Sequence, residues 1–215
     1  MAMHYSVKVL LSIVIGYLFG TVSPAAIISK VKKMNLRKNG TGNLGATNVM
    51  INLGKRYGLL VMLFDMAKAF AAVKITSLIF TLDFYLGMIA GVSSIVGHVF
   101  PFYMRFKGGK GLAAFAGLVL AYDPWVFLFL LILTIILIII VNYSFAMPYS
   151  AGILFPVMVF AKSSDIWLFG ITAIASAIIM YKHYENIKKA RNGTDFKVRE
   201  FIRKKLFKST KENNG

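Results

Sequence analysis

The chain has 215 residues, 58% hydrophobic side chains, a mean hydropathy of +0.69, a formal net charge of +17 and no cysteine. So apolar a composition excludes an ordinary soluble domain, and its long apolar runs, set against about 30 Å of hydrocarbon to cross, predict an all-α polytopic membrane protein. Without cysteine there are no disulfides, thiolate metal sites or thioester intermediates.

Seven apolar segments are read in chain order: about Tyr5–Ser29, Tyr57–Phe80, Phe84–Met104, Leu112–Tyr122, Pro124–Asn142, Met147–Ala161 and Ile166–Tyr181. The fourth and sixth are short, and short or tilted segments are tolerated where protein covers them. Five or six full crossings plus a re-entrant piece is the competing count. Three polar clusters interrupt the segments.

The first cluster, Asn39–Asn48, offers Gly40, Gly42 and Gly45 with Thr41, Asn43 and Asn48. Glycines permit close backbone approach, so successive N–H groups there can form an anion-binding nest. Arg37 stands just upstream, and no acid lies between Ser29 and Phe64, so this is not a carboxylate metal site. An ordinary turn is the plainer reading. Within the second segment Asp65 and Lys68 are three apart, the spacing of a buried structural ion pair.

The second cluster, Gly97–Gly111, contains FKGGKG: Lys107 and Lys110 around Gly108 and Gly109. It is not a Walker A loop, since the glycine spacing differs and Gly111 follows the lysine. A Gly-rich turn leading into an apolar helix still presents N–H groups and a helix dipole to phosphate. Lys110 is the candidate clamp. His98, near a span end, reads as a packed, hydrogen-bonded histidine. The third cluster, His183–Asp195, sets His183 and Asn186 on one helical face. Beyond it Val198, Phe201, Ile202 and Leu206 recur at helical spacing among bases, predicting a basic amphipathic helix on anionic lipid.

With the N-terminus outside, 21 of the 25 Lys and Arg fall on the face that carries all three clusters. The positive-inside rule makes that face cytoplasmic. The charge is therefore read as membrane-facing, with membrane lipids and no nucleic acid as partners. The division expected is a membrane domain over residues 1–182 and a cytoplasmic basic tail over 183–215. HxxxxD, GxSxG and HExxH motifs are absent, as is any run of acids for two-metal chemistry. No metal or cofactor is expected, and an enzyme built this way needs anionic, already activated substrates.

Together the clusters resemble the bacterial acyl-phosphate:glycerol-3-phosphate acyltransferases, the PlsY type. The family pattern runs GSGNxGATNVxR, GHxxPxxxxFKGGKG and HxxNI; this chain reads GTGNLGATNVMI, GHVFPFYMRFKGGKG and HYENI in the same order. The FDxxK of Phe64–Lys68 also fits. The resemblance implies a seven-span inner-membrane enzyme of phospholipid biosynthesis that moves an acyl group from acyl phosphate to the 1-hydroxyl of sn-glycerol 3-phosphate, giving lysophosphatidic acid. It implies catalytic roles for His183, Asn186 and Lys110, and substrate binding by Arg37, Thr41, Gly42, Asn43, Asn48, Lys107, Gly108 and Gly109. A mixed anhydride needs no enzyme nucleophile, so positioning and charge stabilisation suffice.

The chain departs from the pattern at Thr41 (family Ser), Asn35 (Asp), Ala114 (Thr) and Ile51, where the family has an arginine. Phe145 is aligned with the serine of a later YxSL stretch. A non-catalytic binder of phospholipid or acyl phosphate and a transporter of small phosphorylated anions are the alternatives; a transporter is expected to show repeats with paired broken helices, and none is seen.

Overall fold

The computed structural model describes residues 3–194 together with Lys197 and Arg199. All the secondary structure in named elements is helical: α1 (Tyr5–Thr21), α2 (Pro24–Val31), α3 (Ala46–Leu53), α4 (Lys55–Ile79), α5 (Phe84–Val99), a 3-10 turn (Phe102–Met104), α6 (Leu112–Tyr122), α7 (Pro124–Val141), α8 (Ala146–Ser163) and α9 (Ile166–Arg191). Each of the seven apolar segments is thus helical. Four stretches have by themselves the length and apolarity of a crossing: Tyr5–Val31, Phe84–Met104, Pro124–Val141 and Ile166–Arg191. The count of seven also needs α4, α6 and α8. Of these α4 carries Lys55, Arg56, Asp65, Lys68 and Lys74, and α6 has 11 residues, about 16 Å at 1.5 Å rise per residue.

Two features were not anticipated. The first segment is two helices, because Ser23 caps α2 by accepting from the Ala26 N–H and Pro24 occupies its first turn. The glycine cluster gives way at Ala46 to a helix, α3, packed on α4 with Met50 against Gly58. The boundary expected at residues 182/183 lies inside α9. The helix expected around Val198–Leu206 lies outside the described residues.

Aspartates start three helices. Asp83 caps α5, Asp123 caps α7 and Asp165 caps α9, each accepting from backbone N–H groups of the first turn. Lys162 hydrogen-bonds Asp123 and Tyr85 hydrogen-bonds Asp165. Each contact holds its carboxyl below the usual carboxylate range. Being consecutive odd members of an up-and-down series, α5, α7 and α9 then deliver their C-termini to the opposite face, where the polar clusters lie.

α1 runs alongside α5 at backbone contact. A Cβ on Gly16 would lie 2.0 Å from the Ala90 carbonyl oxygen, and one on Gly20 2.0 Å from that of Ser94. This is the small-residue packing by which membrane helices approach closely. The core between α5, α6, α8 and α9 is apolar, with Phe115 and Phe155 edge to face at 5.5 Å between centroids and Ile95, Leu118 and Ile179 fully buried around them. α7 leaves most of its apolar surface outside, as lipid contact requires.

Candidate active site

The Gly-Gly-Lys turn is folded back onto the end of α5. Pro101 ends the helix, and Arg105 and Phe106 take left-handed backbone conformations (φ 53° and 56°) that reverse the chain. Gly108 N–H then donates to the Val99 carbonyl (2.9 Å) and Gly109 N–H to that of His98 (3.1 Å). Any side chain at either glycine is excluded: a Cβ on Gly108 would lie 2.0 Å from the His98 carbonyl oxygen, and one on Gly109 2.2 Å from His98 Nε2. Both amides expected to hold phosphate are therefore bonded within the protein. The two glycines serve the shape of the turn that carries Lys107 and Lys110.

Lys110 emerges from this turn and its ammonium donates to Asn186 Oδ1 on α9. Asn186 Nδ2 donates in turn to Ser144 Oγ at 2.8 Å, in the connection between α7 and α8. His183 sits one turn before Asn186, buried, with Nδ1 2.8 Å from the Ile179 carbonyl. A carbonyl only accepts, so Nδ1 carries the hydrogen and the neutral ring keeps its lone pair on Nε2. Three segments far apart in sequence thus bring together a cation, an amide, a hydroxyl and a histidine with a free acceptor nitrogen.

Ser144 was missed in the sequence. Phe145 was aligned with the family serine, but its ring stacks on Tyr143 at 5.9 Å between centroids, and its neighbour Ser144 bears the hydroxyl that reaches Asn186. The available signal was a serine in a four-residue link between two apolar helices.

The first cluster is a braced loop. Asn48, fully buried, accepts from Thr41 N–H at 2.7 Å and donates to the Leu36 carbonyl at 2.7 Å. Gly42 N–H donates to the Asn39 carbonyl, and Asn43 N–H to Thr41 Oγ1 at 3.4 Å. Gly40 has φ 61° and no room for a Cβ, which would meet Asn48 Oδ1 at 2.3 Å. The Thr41, Gly42 and Asn43 amides of the expected nest are thus also used internally, which makes Asn48 a brace. What this loop offers outward is side chains: Thr41 and, from upstream, Arg37. The Arg37 guanidinium donates to the Lys107 carbonyl, joining the first cluster to the second. Ile51, on α3, is 45% exposed.

Behind the turn lies the expected Asp65–Lys68 pair, with His98 as a third member. Lys68 Nζ is 2.8 Å from Asp65 Oδ1, 3.0 Å from His98 Nδ1 and 2.6 Å from the Val22 carbonyl, and His98 Nδ1 is 3.3 Å from Asp65 Oδ1. All three side chains are buried. The trio ties the α1/α2 break, α4 and the end of α5 beneath Gly109. The C-terminal segment reaches the same face. Arg199 donates to the Ile139 and Ile140 carbonyls at the end of α7 (both 2.8 Å), its N–H donates to Asn142 Oδ1 at 2.8 Å, and Lys197 bridges Tyr143.

A family model described as glycerol-3-phosphate acyltransferase matches residues 10–193. The chain belongs to that family. Among these acyltransferases, one from Aquifex aeolicus (strain VF5) is 33% identical over 188 residues, covering 87% of this chain and 98% of its own length. Another, from Thermosipho melanesiensis, is 35% identical over 188 residues, covering 87% and 91%. Two crystal structures of PlsY (YgiH), an integral membrane glycerol 3-phosphate acyltransferase, share the fold. The glycerol 3-phosphate form matches with a TM-score of 0.81 at 32% identity, and the lysophosphatidic acid form with 0.79 at 31%, each covering 88% of this chain and 94% of the other. This acyltransferase is likewise a multi-pass membrane protein, with its polar clusters gathered at one end of the helices.

Proposed function

We propose that this chain transfers an acyl group from acyl phosphate to the 1-hydroxyl of sn-glycerol 3-phosphate. The hydroxyl oxygen attacks the acyl carbon, the bond from that carbon to the phosphate oxygen breaks, and lysophosphatidic acid and inorganic phosphate leave. The reading is carried by the convergence of Lys110, Asn186, Ser144 and His183. Lys110 neutralises a phosphate at the reacting centre, where a charge-assisted hydrogen bond contributes about 1.5–3 kcal/mol. Asn186 and Ser144 hold Lys110 in place and orient the acceptor. His183 Nε2, with its lone pair, takes the hydroxyl proton; the leaving phosphate is the alternative recipient. Arg37, Lys107 and Thr41 bind phosphate oxygens at the rim, while Gly42, Asn43, Asn48, Gly108 and Gly109 fix the shape of the two loops.

The orientation proposed follows from charge. The basic face is cytoplasmic, the N-terminus is outside, and the membrane is the bacterial inner membrane. A 16-carbon acyl chain gains on the order of 12 kcal/mol from staying in lipid, at about 0.8 kcal/mol per CH₂. The donor head therefore lies at the interface, while glycerol 3-phosphate arrives from water, drawn by the positive field. Purified protein supplied with palmitoyl phosphate and glycerol 3-phosphate is expected to release phosphate and form lysophosphatidic acid in equal amounts. Binding of the donor with no turnover would leave the protein a non-catalytic lipid binder.

A further inference from the structure

A pocket of about 480 Å³ opens on the basic face between α2, the segment after it and the 3-10 turn. Its size falls in the range of small-molecule sites, roughly 300–1,000 Å³. Three cations line it, Lys30, Lys33 and Arg37, and none of the ion pairs among the described residues includes any of them. The sequence holds no acid from Ser29 to Phe64 that could do so. Three cations around one hollow repel one another, and an anion removes that cost. Lys33 also holds φ 50°, a left-handed conformation that a side chain disfavours by about 1–2 kcal/mol. A lysine persists where glycine would fit with less strain.

The rest of the lining selects among anions. Met34, Leu44 and Met104 make much of the remaining wall. On α2 the lining residues Ala26, Ser29 and Lys30 follow one stripe, with Lys33 just beyond the helix end, and the adjacent stripe carries Ile27 and Val31, 56% and 72% exposed. An apolar wall beside exposed aliphatics at a basic rim suits an amphiphile better than a free ion, because its chain can lie on α2 while its head meets the lysines. Asn186, Ser144 and His183 take no part in this pocket.

We propose that the pocket is a second lipid site, taking the phosphodiester headgroup of an anionic membrane phospholipid on Lys30 and Lys33. The test is native mass spectrometry of the full-length protein titrated with phosphatidylglycerol, with phosphatidylcholine as the zwitterionic comparison. Lys30→Gln combined with Lys33→Gly removes both charges, and the glycine relieves the backbone strain, so the variant is expected to melt no lower than wild type. Phosphatidylglycerol affinity at the tightest site should fall about thirtyfold, at roughly 1 kcal/mol for each surface cation. Phosphatidylcholine should be unaffected, and millimolar inorganic phosphate should not displace the lipid. Lys55→Gln with Arg56→Gln is the control: the same charge change at the start of α4. The proposal is overturned if the control loses as much affinity as the pocket variant, if the pocket variant loses none, or if inorganic phosphate competes, which would make this a soluble-anion site.

Discussion

Two groups of cations are treated in opposite ways. Lys68 is buried with Asp65 and His98 and meets a carboxylate, an imidazole and a carbonyl. Lys30, Lys33 and Arg37 line an open hollow and enter none of the ion pairs among the described residues. A charge whose counter-ion is supplied by the protein fixes helices and is closed to ligands. A charge left uncompensated on a membrane surface is available to an anion. Lys110 stands apart from both groups, in that it donates to a neutral amide, Asn186, on another helix.

The contrast can be broken most sharply at the buried trio. Asp65→Ala leaves a desolvated lysine unpaired, and about 3–5 kcal/mol of stability should be lost, read as a large drop in the melting midpoint in detergent. A wild-type midpoint would mean the trio is not what joins α1, α4 and α5. Next comes Lys110→Ala, which should lower kcat/KM about a hundredfold, at the upper end of a charge-assisted bond, and leave the melting midpoint nearly unchanged. Unaltered turnover would move the reacting centre elsewhere. At Ile51 the uncompensated surface lacks the family's arginine. Ile51→Arg is expected to raise kcat/KM about tenfold through one restored phosphate contact, and this gain should vanish when Lys110 is also removed. A fall in activity would show a site rebuilt around the apolar residue. The smallest effect is at Ser144, where alanine removes one neutral hydrogen bond and should cost about fivefold in turnover, while Phe145→Leu should cost little. The reverse ranking would return the role to Phe145.

The architecture was legible because its signals are local. Runs without charge marked α5 and α7, and the lopsided bases gathered the clusters on one face. The three motifs likewise named Lys110, His183 and Asn186. What could not be read was the fate of backbone groups. Gly108 and Gly109 look like phosphate donors in sequence because glycine implies an approachable amide. Whether that amide meets a ligand or the carbonyls of Val99 and His98 depends on where α5 ends. Ser144 was hidden by register, since a one-residue shift in a short link exchanges a ring for a hydroxyl. The break at Ser23–Pro24 was masked by the apolar residues on either side.

The clamp made by Arg199 has a consequence for the order in which the molecule is completed. Asn186 comes from α9 and Arg199 from beyond it, yet Arg199 fastens the end of α7 and Asn142 in the link that carries Ser144. The helices made first can be inserted and packed while the reacting centre still lacks its third side. A chain that stops after Thr194 keeps the Asn186–Ser144 hydrogen bond but loses the Arg199 contacts to Ile139, Ile140 and Asn142. The link that borders the candidate site is thus fastened by a residue made after α9, whereas Lys110 precedes α7 in the chain.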